Sequence, residues 1–89
     1  MANATTKRTP RLAYQLLLKF GESNTVCQPV LGQRINASVT KTRNGQFVWT
    51  VERQRSADCT NGLCTFREEA VVQAIMAIME FMLNAHEEA

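Results

Sequence analysis

Residues 34–53 read RINASVTKTRNGQFVWTVER, and their alternation of apolar and polar side chains decides the fold. Side chains two apart in a strand point to the same face, so each half of this segment is predicted to be a strand with one apolar face. The stretch Arg43-Asn44-Gly45 between the halves is a predicted turn, which makes the pair an antiparallel hairpin. The expected apolar face consists of Ile35, Ala37, Val39, Phe47, Trp49 and Val51.

The register of this hairpin follows from the requirement that both apolar sets lie on one face. A two-residue Asn44-Gly45 turn would put them on opposite faces of the sheet. A three-residue loop starting at Arg43 instead pairs Val39 with Trp49 and leaves Gly45 as the left-handed bulge residue. Burial of one face fixes register more strongly than turn preference does, so we predict the three-residue loop.

Two further elements are predicted before the hairpin. Thr9 and Pro10 are typical of a helix start, and Gly21 is expected to end that helix. Residues 26–31 are predicted to be a strand, and Pro29 within it lacks an amide donor, so this strand belongs at an edge of the sheet. The helix is expected to bury Leu12, Ala13, Leu16, Leu17 and Phe20.

The last third of the chain reads FREEAVVQAIMAIMEFMLNA over residues 66–85, which is apolar on two sides of a helix. A single sheet cannot cover both sides, so the second side is predicted to be a homodimer interface. The first stripe, expected to face the sheet, is Val71, Ala74, Ile75, Ile78, Phe81, Met82 and Ala85. The second stripe, expected to face another chain, is Val72, Met76, Met79 and Leu83.

Together these elements predict an α+β fold of order αβββα, a three-stranded antiparallel meander with both helices packed on one face. A single domain is expected over residues 9–86, after a flexible basic arm at residues 1–8 and before a disordered tail at residues 87–89. Residues 56–64 are expected to be a polar loop. The open face of the sheet, left to solvent or a partner, is predicted to carry Asn36, Ser38, Thr40, Thr50 and Glu52.

The order helix, three strands, helix resembles that of the double-stranded-RNA-binding domain, at the level of topology and over most of the chain. The resemblance implies recognition of duplex RNA by shape, through basic residues at the start of the second helix and in the loop between the first two strands. Here the second helix opens Thr65-Phe66-Arg67-Glu68-Glu69, where one arginine stands beside two acids and the family's run of lysines is missing. Phosphate would be repelled there, so the similarity is one of architecture.

The charges are divided between two parts of the chain. Residues 1–55 carry nine basic and two acidic side chains, and residues 56–89 carry one basic and six acidic ones, for a formal net charge of +2. This division indicates either a basic surface for an acidic partner or two complementary surfaces within the fold or across a dimer. Nucleic-acid binding is therefore the alternative function. Its expected contacts to phosphate or to an acidic partner are Lys7, Arg8, Arg11, Lys41 and Arg43.

No catalytic, metal or cofactor site is predicted. The single histidine, His86, lies near the chain end, and the sequence contains no glycine-rich phosphate loop or other catalytic motif. The spacing of Cys27, Cys59, Cys64 and His86 does not match a zinc site. Cys27 is expected in the core, and a Cys59–Cys64 bridge is sterically allowed under oxidising conditions.

The first ten residues contain no apolar stretch typical of a secretory signal, so a cytoplasmic location is expected. The longest apolar run, residues 74–79, is far too short to cross a membrane. We therefore expect a non-enzymatic, homodimeric protein that binds a macromolecular partner. A role as a small inhibitor or adaptor, of the kind carried by phages and plasmids, is the functional hypothesis.

Overall fold

The computed structural model describes residues 4–54 and 56–88, with the backbone alone described for residues 4–10 and 88. Its strands form one antiparallel sheet in which neighbouring strands follow the order of the chain. The α+β class is confirmed, whereas the three-stranded meander is wrong because the chain forms a fourth strand. The elements are α1 (Ala4–Glu22), β1 (Thr25–Val30), β2 (Gln33–Lys41), β3 (Phe47–Arg53), β4 (Cys59–Cys64) and α2 (Arg67–Glu88).

The hairpin of β2 and β3 has the predicted register, with Val39 paired to Trp49. The three-residue loop is closed by the amide of Thr42, which donates to the carbonyl oxygen of Gln46 at 2.8 Å. The amide of Gly45 donates back to the carbonyl oxygen of Thr42 at 3.1 Å. Gly45 has a φ of 82°, the left-handed conformation that such a loop requires.

β1 lies at an edge of the sheet, as Pro29 predicts. A two-residue turn joins it to β2, and both turn residues have positive φ, 47° at Leu31 and 77° at Gly32. These values are typical of a type I′ turn, whose twist matches that of the flanking strands. A leucine side chain disfavours this conformation by about 1–2 kcal/mol, so the pairing of the strands holds Leu31 under strain.

The segment expected to be a polar loop contains β4. Asn61 and Gly62 read as a turn in the sequence, yet both lie within the strand, opposite Thr50 and Trp49. A Cβ atom at Gly62 would lie 2.5 Å from Nε1 of Trp49, so the indole ring packs directly on the glycine backbone. The indole N–H also donates to Oε1 of Gln73 on α2 at 2.8 Å. Trp49 therefore joins β4 and α2 to the centre of the sheet.

One face of the sheet shares a core with both helices. α2 contacts all four strands, and α1 contacts β1 and α2. The α2 side chains predicted to face the sheet are all buried or half-buried, as expected. α1 contributes the fully buried side chains of Leu16 and Phe20, whereas Leu17, predicted to be in the core, is 48% exposed. Leu17 projects about 100° around the helix from Leu16, which takes it off the covered side.

The first helix is longer than predicted. It begins at Ala4 rather than Thr9, so the arm expected at residues 1–8 is helical from Ala4 onwards, and residues 1–3 lie outside the described residues. Pro10 consequently lies inside the helix, where it removes one helical hydrogen bond instead of marking the start.

α2 runs from Arg67 to Glu88, so the expected disordered tail is helical except for residue 89, which lies outside the described residues. Nη2 of Arg67 donates to the carbonyl oxygen of Phe20 at 2.7 Å and to Oδ1 of Asn24 at 3.2 Å. Carbonyls in the last turn of a helix have no partner within that helix, so this arginine completes the end of α1. The end of α1 and the start of α2 therefore lie together.

Substitution of Gly62 by alanine tests the packing of Trp49 on β4. The added methyl group would overlap the indole ring, so Gly62→Ala should lower the free energy of unfolding by about 1–3 kcal/mol. Urea denaturation followed by tryptophan fluorescence and circular dichroism measures this change.

Gly21→Ala is the matched control. Gly21 is a helical residue of α1 rather than the left-handed stop that the sequence suggests, and a Cβ there would meet no atom within 4 Å. This variant should be unchanged or more stable by up to about 1 kcal/mol. Equal destabilisation by the two variants would contradict a close contact between Trp49 and Gly62.

Candidate interaction surfaces

The α2 stripe, defined as Val72, Met76, Met79 and Leu83, lies on the side of α2 that faces away from the sheet. Val72, Met76 and Leu83 are 52%, 64% and 60% exposed. Met79, the fourth member of the stripe, is half-buried and packs against the core, so it is less available to another chain than predicted. Within the described residues, the outward side of α2 is thus an uncovered apolar surface.

Acidic side chains run along the α2 stripe. Glu69, Glu80 and Glu87 are exposed and recur at intervals of eleven and seven residues. These intervals place the three carboxylates within about 20° of one another around the helix, beside the stripe. The outward side of α2 therefore combines an apolar centre with an acidic border.

A second apolar surface lies on α1, where the sequence analysis predicts none. Tyr14 and Leu18 are 62% and 53% exposed, on the side opposite the buried Leu16 and Phe20. Arg11 is exposed on the same side, three residues before Tyr14. We call Arg11, Tyr14 and Leu18 the α1 outer face. Helical spacing could have identified it, because Leu18 falls about 160° from both buried side chains.

The predicted basic contacts whose side chains the structure describes lie in two regions, with Arg11 on α1 and Lys41 and Arg43 at the hairpin of β2 and β3. Lys41 is exposed at the end of β2, and Arg43 is exposed in the hairpin loop. Lys7 and Arg8 belong to the first half of α1, and their side chains lie outside the described residues. The hairpin loop lies at the end of the domain where α1 ends, so about 13 Å of helix separates Arg11 from that end.

The open face of the sheet carries the predicted polar side chains, together with the exposed Leu63 of β4, which pairs with Val48. A shallow cavity of about 470 Å³ lies on this face over β1, β2 and β3, and Cys27, Asn36 and Glu52 contribute to its lining. The described part of this face has no aromatic side chain, so it offers no ring on which a base could stack. One row of paired residues crosses all four strands: Thr25, Ser38, Thr50 and Asn61.

The three cysteines are free and lie apart. Cys27 is exposed rather than part of the core, because Val26 and Val30 occupy the covered face of β1 and the strand alternates. Cys59 and Cys64 lie at opposite ends of β4, about 16 Å apart, so no bridge joins them in this fold. In the described part of the chain, no group of three or more histidine, cysteine or acidic side chains is placed to hold a metal ion.

At neutral pH, a thiol reagent should modify Cys27 and Cys59 rapidly and Cys64 slowly. Burial of Cys64, with a smaller contribution from the nearby Glu69, raises the pKa of its thiol. A raised pKa leaves less thiolate at a given pH, and the thiolate is the reactive form. Mass spectrometry of the protein during alkylation measures the three rates.

Alkylation in urea provides the control, since all three thiols should then react at similar rates. Rapid modification of Cys64 in the folded protein would contradict its burial. A failure of Cys59 and Cys64 to react even in urea would indicate a bridge between them and would contradict the placement of β4.

The chain matches no protein-family model, and neither the curated proteins nor the solved structures contain a match to it. Neither helix in the described part of the chain combines the length and apolar character needed to cross a membrane. The resemblance in element order to the double-stranded-RNA-binding domain is weakened by the fourth strand and by the engagement of Arg67 with the end of α1.

Proposed function

We propose that this protein is a non-enzymatic binding protein, which dimerises through the α2 stripe and engages a macromolecular partner in the cytoplasm. The observation that carries the proposal is the exposure of Val72, Met76 and Leu83 on a helix whose other side is core. Contiguous exposed apolar surface on a small domain is typical of a protein–protein contact. Methionine is also enriched at such contacts.

The free energy gained by covering the α2 stripe is large enough to contribute to dimerisation. Fully burying an aliphatic side chain contributes about 1.5–3 kcal/mol, so the three half-exposed side chains offer roughly 1 kcal/mol each. In a two-fold dimer this contribution occurs twice, because the same surface of each molecule takes part.

A dimer contact on the helices leaves the open face of the sheet for a different partner. Around its shallow cavity, that face has short hydroxyl and amide side chains together with Cys27 and the acidic Glu52. A surface of this kind can form hydrogen bonds to a protein backbone or side chains. A small domain with one self-association surface and one polar recognition surface suits an inhibitor or adaptor, including the accessory proteins of phages and plasmids.

Replacement of Val72 by glutamate tests the dimer. Val72 is exposed within the α2 stripe, so the new carboxylate would be buried in an apolar contact, and Val72→Glu should convert a dimer into a folded monomer. Analytical ultracentrifugation at tens of micromolar protein measures the mass, and far-ultraviolet circular dichroism measures the helix content.

Thr40→Glu is the matched control, because it adds the same charge on the open face of the sheet, away from the α2 stripe. This variant should remain dimeric. A monomeric wild-type protein would reject the dimer, and loss of helix content in Val72→Glu would place Val72 in the core.

Nucleic-acid binding is tested separately by gel shift with duplex and single-stranded DNA and RNA. We expect no shift at about 0.15 M salt, because the basic side chains are divided between α1 and the hairpin loop while α2 is acidic. A shift that weakens steeply with salt would support the alternative function. It would have to be lost when the predicted contacts are neutralised, namely Lys7, Arg8, Arg11, Lys41 and Arg43.

A further inference from the structure

We propose that the α2 stripe of one molecule is covered by the α1 outer face of a second copy of this chain. In the resulting two-fold dimer, each α1 lies over the α2 of the other molecule, and four helices separate the two sheets. This inference rests on the proposed dimer and specifies the surface that meets the α2 stripe.

The two helices form one layer and run in opposite directions. Because the sheet has four antiparallel strands, the end of α1 and the start of α2 fall at the same end of the domain. The 2.7 Å hydrogen bond from Arg67 to the carbonyl oxygen of Phe20 fixes this alignment. The α1 outer face lies opposite the buried Leu16 and Phe20, and the α2 stripe lies opposite the side of α2 that contacts the strands, so neither surface faces the sheet.

The two helices carry opposite charge. α1 contains four basic side chains and one acidic side chain, whereas α2 contains five acidic side chains and one basic side chain. On the outward side, Arg11 stands beside Tyr14 and Leu18, whereas Glu69 and Glu80 border the α2 stripe. Each surface thus has an apolar centre, and the charges beside the two centres are complementary.

Two arrangements with two-fold symmetry would bring the helix layers of two molecules into contact. An axis across the helices places α2 on α2, so that Glu69, Glu80 and Glu87 would face the same acidic side chains of the other molecule. Juxtaposed like charges at an interface cost free energy. An axis parallel to the helices places α1 on α2 in both halves of the dimer and matches the charges, so this arrangement is favoured.

The positions of side chains along the helices identify one contact. Arg11 lies nine residues before Phe20, and Met76 lies nine residues after Arg67. Each is therefore about 13 Å from the end that the two helices share. An axis parallel to the helices preserves these positions, so Arg11 faces the partner's Met76. Glu80 of the partner subunit is one helical turn further, within reach of a guanidinium group.

The helix layer is large enough for a stable dimer. The domain measures 45 × 30 × 18 Å, and the helices form one of its two broad faces. Covering half of that face would bury roughly 700 Å² on each molecule, or about 1,400 Å² in total, which is typical of a specific interface.

An exchange of charges tests the pairing. Arg11→Glu and Glu80→Lys, each alone, would place like charges at both symmetric contacts, and each should raise the Kd of the dimer about tenfold. The double variant restores opposite charges and should have a Kd within about threefold of the wild-type value. Sedimentation velocity measures each Kd, and circular dichroism verifies that each variant is folded.

Glu52→Lys is the matched control, since it makes the same change on the open face of the sheet and should leave the Kd unchanged. Recovery of dimerisation in the double variant supports the pairing of α1 with α2. Tighter dimerisation of Glu80→Lys alone would mean that α2 meets α2, and would overturn the pairing.

The remaining outcomes separate this inference from the dimer itself. If Val72→Glu dissociates the dimer but the charge variants leave its Kd unchanged, or the double variant fails to restore it, the pairing is overturned and the proposed dimer stands. A wild-type protein that stays monomeric at high micromolar concentration would overturn both.

Discussion

The contact of Trp49 with Gly62 and Gln73 sets both the width of the sheet and the orientation of α2. The indole ring needs a neighbouring strand with no side chain at its level, which Gly62 provides. Its N–H needs an acceptor, which Gln73 provides at 2.8 Å, and a buried donor without an acceptor would cost about 1–3 kcal/mol. With Gln73 turned toward the tryptophan, the rotation of α2 is fixed and Val72 and Met76 face outward.

The parts of the fold that could be predicted from the sequence are those in which burial leaves one solution. The register that pairs Val39 with Trp49 is one example, because any one-residue shift exposes an apolar face. β4 could not be predicted in this way, since Asn61-Gly62 has the composition of a turn. What makes Gly62 a strand residue is the ring of Trp49, which is thirteen residues away in sequence and adjacent only in the folded sheet.

The two candidate surfaces also differ in whether they could be predicted from the sequence. The α2 stripe could be predicted because the helix is apolar on two sides and one sheet covers only one of them. The α1 outer face was missed, although helical spacing already separates Leu18 by about 160° from Leu16 and Phe20. Single exposed apolar side chains are common on helices, so what marks this face is the exposure of both Tyr14 and Leu18 opposite the packed side of α1.

The two edges of the sheet differ in their capacity to accept another strand. Val30 and Gln33 pair directly beside the two-residue turn, so the nitrogen of Pro29 points away from β2 and offers no hydrogen at that edge. β4, with β3 as its neighbour in the sheet, contains no proline. Lengthening of the sheet is therefore disfavoured on the β1 side. Two molecules could pair through their β4 edges, but the combined sheet would then expose only β1 edges, which disfavour a further strand. The architecture therefore resists growth of the sheet into a fibre.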